Sequence, residues 1–196
     1  MLSGMRLIGW LWWVWALYWL VSALHIKAIE RRESLGSRLA HLVPLAVGGG
    51  LIAWASPAWR ALAWRFWLPA PAPYWIGVAL VIAGLAFAIW ARVHLGGNWS
   101  GTVTVKQGHE LIRSGPYALV RHPIYTGLIT ALLGTSIASG TVHAAIGLAI
   151  IAVSLVYKSR REEEFMRETF PGEYQRYSAQ VPALIPLVRP SRPASH

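Results

Sequence analysis

The chain has 196 residues, of which 55% are hydrophobic and only 13% charged, and it carries a net charge of +10. A soluble core of that size has no use for so much apolar surface, so the excess calls for lipid. The basic residues sit at the ends of apolar runs and do not form one basic domain, which argues against nucleic acid. The absence of cysteine excludes disulfides, thiolate metal sites and cysteine nucleophiles.

The first apolar run, about Leu7 to Leu24, is longer than the core of a signal peptide. A charged stretch from Lys27 to Arg38 follows it, so it reads as a transmembrane helix. A second span covers about Leu39 to Ser56, where Gly48, Gly49 and Gly50 permit a close helix approach. Between Pro57 and Pro69, alternating Trp and Arg suit a short segment lying in the membrane interface. The third span, about Tyr74 to Ala91, places Gly77 and Gly84 on one helical face. A polar loop then runs from Arg92 to about Arg121. The fourth span starts at Pro123 and ends near Gly140. The fifth, about His143 to Tyr157, leads into the charged run Lys158 to Arg167, and the two form a helical hairpin.

The expected fold is therefore all-α, a polytopic membrane protein of about five transmembrane helices. Residues 1–72 hold the first two spans and the interfacial segment, 73–187 form a core, and 188–196 are a flexible tail. Fifteen of the eighteen Lys and Arg residues fall after spans one, three and five, leaving Arg6, Arg60 and Arg65 on the other side. Positive charges stay cytoplasmic, so the N-terminus is expected outside and the C-terminus inside.

Ionisable residues abut the membrane most densely at the start of span four and just after span five. Arg121-His122-Pro123-Ile124-Tyr125-Thr126-Gly127 opens span four, and proline suits a first helical turn because its missing N–H would be unpaired there. The second cluster is Lys158 to Glu164, followed by Phe170, Tyr174 and Tyr177. A short turn joins the two spans, so His122 and Tyr125 are expected to face Glu162 and Glu163. His109-Glu110-Leu111-Ile112-Arg113 begins like a zinc-protease helix, but Arg113 replaces the second histidine, and no metal site is expected.

These blocks, with Leu95-Gly96-Gly97-Asn98-Trp99, Gly115-Pro116-Tyr117 and Val181-Pro182 through Ile185-Pro186, resemble the isoprenylcysteine carboxyl methyltransferase and phospholipid methyltransferase superfamily over about residues 90 to 187. The resemblance implies an integral membrane enzyme using S-adenosyl-L-methionine in a cytoplasmic cofactor pocket. It assigns His109, Leu111, His122, Pro123, Tyr125, Gly127, Glu162 and Glu163 to that cofactor. Arg121 or Arg176 is expected to hold an anionic group of a lipophilic or lipid acceptor.

Carboxyl or other O-methylation is favoured. Phospholipid N-methylation, an NADPH-dependent membrane reductase of the sterol reductase type, and a non-catalytic membrane scaffold remain as alternatives. The expected location is a bacterial inner membrane with the site facing the cytoplasm, with the endoplasmic reticulum as the alternative.

Overall fold

A computed structural model describes residues 2–23, 35–53, 64–96 and 111–186. The described residues form six α-helices: α1 (Leu2–Ser22), α2 (Leu35–Ala53), α3 (Pro71–Leu95), α4 (Pro123–Ser139), α5 (Val142–Thr169) and α6 (Glu173–Gln180). A 3-10 turn covers Gly115–Ala118, and the only β pairing among them is an isolated bridge between Arg65 and Thr141.

By length and composition, α3 and α5 are apolar enough to cross a membrane. α4 and the Leu42–Ala53 part of α2 are shorter apolar helices. Large apolar side chains face outward, with Trp13 73% and Val153 70% exposed, as lipid permits and water does not. The charged turns of α5, expected as an extension beyond Tyr157, continue the same helix to Thr169.

The helix partners are set by glycines. On α3, Gly77 faces Gly134 of α4 and Gly84 faces Gly127, the same seven-residue spacing on two antiparallel helices. A Cβ on Gly127 would stand 2.5 Å from the Gly84 carbonyl oxygen, and one on Gly134 would stand 2.5 Å from that of Gly77. Only hydrogen fits there, so the two backbones approach along a seam and α4 packs chiefly on α3.

The α2–α5 contact repeats the device once. Gly147 of α5 meets Gly48, whereas Gly49 and Gly50 meet nothing. The expected hairpin of α4 and α5 is present, but each helix has its main partner elsewhere. Ile8 of α1 joins Val78, Val81, Leu85 and Ala131 in the core.

Only the end of the segment expected at the interface lies within the described residues, and it does more than lie flat. Phe66 N–H donates to the Gly140 carbonyl (2.9 Å) and Val142 N–H to that of Trp64 (3.0 Å), so the strand-like residues close the α4–α5 turn. At the other end of the bundle, Arg92 donates to the carbonyls of Ser22 (2.7 Å) and Gly96 (2.8 Å), fastening the C-termini of α1 and α3 together. The stretch Lys27 to Arg38 and the tail 189–196 lie wholly or largely outside the described residues.

The seam predicts opposite outcomes for one substitution type. Gly84→Ala forces backbone apart and is expected to lower the melting temperature of the purified protein, at a cost of about 1–3 kcal/mol. Gly50→Ala, in open space, is expected to leave it unchanged or raise it, since alanine favours helix by about 1 kcal/mol.

Candidate functional site

The start of α4 meets the charged turns of α5 around a carboxylate. Glu163 is 7% exposed, and its Oε1 accepts from Arg121 Nε (3.0 Å) and Nη2 (2.6 Å) and lies 3.1 Å from His122 Nε2. Its other oxygen pairs with Arg167 Nη2 at 3.2 Å, one turn along the same helix. The remaining nitrogen of His122, Nδ1, faces Glu162 Oε2 at 3.5 Å. Tyr125 donates its hydroxyl to Glu162 Oε1 at 2.5 Å, and its ring stacks on His122 with 3° between the planes.

His122 is the N-cap residue of α4, but its ring leaves the helix end and bridges two acids. Burial opposes its positive charge, yet the hydrogen bonds to Glu162 and Glu163 outweigh burial and hold its pKa above the usual histidine value. The imidazolium form donates to both acids at once.

Arg121 ties this cluster to the C-terminal helix. Its Nη1 donates to the carbonyls of Ser178 (3.0 Å) and Val181 (2.6 Å) at the end of α6. Backbone bonds from Arg121 to Pro182 (2.8 Å) and from His122 to Ala183 (3.0 Å) extend the tie, and Thr126 Oγ1 donates to the Leu184 carbonyl (2.7 Å). Tyr177 donates to the carbonyl of Tyr117 at 2.7 Å. Burial pushes the Tyr174 and Tyr177 phenols well above their ordinary range, so both keep their protons. Gly172, at φ 76°, makes the bend after Phe170-Pro171 that lets α6 fold back.

A cavity of about 1000 Å³ opens beside this cluster. Through most of its length the wall is apolar, with Trp12, Trp15 and Trp19 of α1 and Leu128 and Leu132 of α4. Trp12 Nε1 donates to Thr135 Oγ1 at 3.0 Å, linking α1 to α4 inside the wall. At one end the wall turns ionic, with Arg121, His122, Lys158 and Glu162.

Of the residues assigned from sequence, Leu111, Arg121, His122, Pro123, Tyr125 and Glu162 line the cavity, and Glu163 stands behind them holding Arg121 and His122. Gly127 backs onto Gly84 and Ala88 of α3 and is not among the residues lining the cavity. Arg176 is exposed on α6 and absent from the wall. Arg121 lines the wall, but its guanidinium is engaged by Glu163 and two carbonyls. His109 lies outside the described residues. Lys158 also lines the cavity: in sequence it is one more cation in a charged run, and only helix register turns it inward. Among the described residues no group of three or more His, Cys, Asp and Glu side chains could hold a metal.

An apolar chamber between membrane helices, ending on a buried ionic cluster, defines a class of helical membrane proteins. Within that class, residues 76–168 match the model of the isoprenylcysteine carboxyl methyltransferase (ICMT) family. The chain is 26% identical over 122 residues to protein-S-isoprenylcysteine O-methyltransferase B of Arabidopsis thaliana, covering 59% of this chain and 61% of that protein. It is 30% identical over 113 residues to the cobalt-zinc-cadmium resistance protein CzcN of Cupriavidus metallidurans, covering 57% and 46%. The matches therefore span less than two thirds of these relatives. The solved structure of the eukaryotic intramembrane Ras methyltransferase ICMT shares the fold at a TM-score of 0.50 and 24% identity, over 81% of this chain and 55% of that one.

The raised pKa of His122 gives a signed prediction. A group whose pKa rises on folding stabilises fully below its unfolded value, about 6.5, and loses that contribution as pH climbs through the folded value. The melting temperature is expected to fall across that alkaline limb, and His122→Gln is expected to remove this component. A limb of equal slope in the variant would show that the imidazolium contributes nothing.

Proposed function

We propose that this chain is an integral membrane S-adenosylmethionine-dependent methyltransferase acting on a lipophilic acceptor, with a carboxyl or other oxygen as the methylated atom. The observation that carries the reading is the division of the two acids. Glu163 is sealed among Arg121, His122 and Arg167, while Glu162, its side chain 25% exposed, reaches the cavity wall.

That donor set fits the cofactor. The Glu162 carboxylate suits ribose hydroxyls or a cationic sulfonium, and Leu111 with Tyr117 gives flat apolar surface for a purine. When bound, S-adenosylmethionine would supply an electrophilic methyl group on a positive sulfur, for transfer to an acceptor oxygen. Positioning then supplies most of the acceleration, and the residues here are arranged for it. His122 and Tyr125 fix Glu162, Arg121 fixes the α6 wall, and the tryptophan-lined chamber excludes water.

The charge distribution supports five spans with the ionic end in the cytoplasm, where the soluble cofactor is available. α4 is about 25 Å long, comparable with a hydrocarbon core of about 30 Å, and it runs from the ionic cluster to the Trp64–Trp67 aromatic group. A bacterial inner membrane suits this compact chain. The relatives carry names as different as isoprenylcysteine methylation and metal resistance, so the acceptor is argued from the cavity and not from a name.

Calorimetric titration of the purified protein tests the reading. S-adenosylhomocysteine is expected to bind and NADPH not, and Glu162→Gln is expected to weaken that binding about tenfold or more, the loss of at least one charge-assisted hydrogen bond. Binding of NADPH alone would replace methyl transfer with reduction. Binding of neither would favour a scaffold.

A further inference from the structure

A second concavity lies on α1, outside the chamber. It is a groove of about 570 Å³ lined by Arg6, Gly9, Trp10, Trp13, Val14 and Leu17, whose spacings of three, one, three, one and three put them on one helical face. The groove is open at Gly9, where an added Cβ would meet nothing within 4 Å. From Arg6 to Leu17 it runs about 16 Å along the helix axis. That is close to half of a hydrocarbon core of about 30 Å, the depth that the acyl chains of one leaflet fill. Arg6 and both tryptophans are exposed, so a cation heads an apolar trough flanked by two indole rings.

The charge at the head of this groove has no acid on its own side of the membrane. The eight acidic residues, from Glu30 to Glu173, all follow spans one, three and five, so in the five-span arrangement Arg6, Arg60 and Arg65 share their side with none of them. The nearest source of negative charge for Arg6 is then outside the chain, in the phosphate of a lipid headgroup. A second copy of the chain suits the groove less well, because a two-fold axis along the membrane normal would turn Arg6 toward Arg6.

We propose that this groove binds an acidic phospholipid, its phosphate on the Arg6 guanidinium and one acyl chain laid over Gly9, Val14 and Leu17 beside the rings of Trp10 and Trp13. A guanidinium meets a phosphate with paired donors, and indole rings, apolar with one polar edge, settle at headgroup level. A zwitterionic lipid offers the same phosphate but brings its own cation toward Arg6, so a head of net negative charge is favoured. Gly9 and Trp13 line the chamber as well as the groove, and the lipid therefore braces the helix that carries the chamber's tryptophan wall. That brace adds to Ile8 in the core, the Trp12–Thr135 bond and the Arg92–Ser22 bond. The bound lipid is a structural partner of α1 and is distinct from any molecule that enters the chamber.

The test uses the full chain in nanodiscs that mix phosphatidylglycerol and phosphatidylcholine of identical acyl chains, followed by native mass spectrometry of the lipid that stays bound. Wild type is expected to retain phosphatidylglycerol in preference to phosphatidylcholine and to melt higher as its fraction in the disc rises. Arg6→Gln is expected to reduce that retention about fivefold, the contribution of one interfacial arginine, and Arg6→Lys to keep most of it. Gly9→Leu, which fills the groove, is expected to lose the bound lipid, while Arg160→Gln, an exposed cation on α5, retains it. Each variant is melted in pure phosphatidylcholine discs as well, where a temperature equal to wild type shows an intact fold. Equal retention of the two lipids by wild type, or undiminished retention in Arg6→Gln, overturns the proposal. So does an equal loss in Arg160→Gln, which would make the preference one of overall charge, and so do dimers that Gly9→Leu separates, which would give the groove to a second copy.

Discussion

The ionic end of this molecule depends on burying one carboxylate, that of Glu163. A lone buried charge is costly, and this one is tolerated because two donors of Arg121, one of His122 and one of Arg167 converge on its oxygens. Each partner is thereby oriented for a second task. Arg121 turns Nη1 to the end of α6, and His122 presents its other nitrogen to Glu162. Removing one partner of such a group leaves the rest uncompensated, typically at a cost of about 3–5 kcal/mol. Of the two acids that His122 reaches, the one that does not line the cavity thus sets the shape of the wall.

The apolar end obeys a different constraint, the volume freed by glycine. Because Gly127 and Gly134 draw α4 against α3, the adjoining face of α4, with Leu128, Leu132 and Thr135, turns to the cavity. α5 is drawn likewise to α2 through Gly48 and Gly147, which leaves room between the two helix pairs. α1 covers part of that room with its tryptophans, tied by the Trp12–Thr135 bond. The chamber follows from pairing α3 with α4 and α2 with α5, not from the hairpin that joins α4 to α5 in sequence.

This explains what could be read from the residues alone. Hydropathy marks α1 to α4 to within about five residues of their observed bounds, but α5 continues past Tyr157 to Thr169 and the polar α6 gives no hydropathy signal; that His122 faces the Glu162 region follows from a short turn between two spans. A glycine inside a motif has no side chain to declare its use, and only the partner helix shows the close approach that Gly127 makes to α3. Arg121 and Arg176 were equivalent as charges in sequence. Coordinates separate them, since one is enclosed by carbonyls and a carboxylate and the other lies outside. The pairing of Trp64 and Phe66 with the α4–α5 turn left no signal at all, because an isolated bridge has no period.

Adjacent glutamates on a helix point about 100° apart, given 3.6 residues per turn, so Glu162 and Glu163 cannot share an environment. One must enter the bundle if the other faces the cavity, and the cations of α4 decide which. Arg121 and His122, which themselves line the cavity, both reach Glu163, and it is drawn to them. Glu162 is left at the wall, held from His122 and Tyr125. The acid open to a ligand is therefore oriented by neighbours already fixed by the buried acid, which is how a site of few polar groups stays arranged before anything binds.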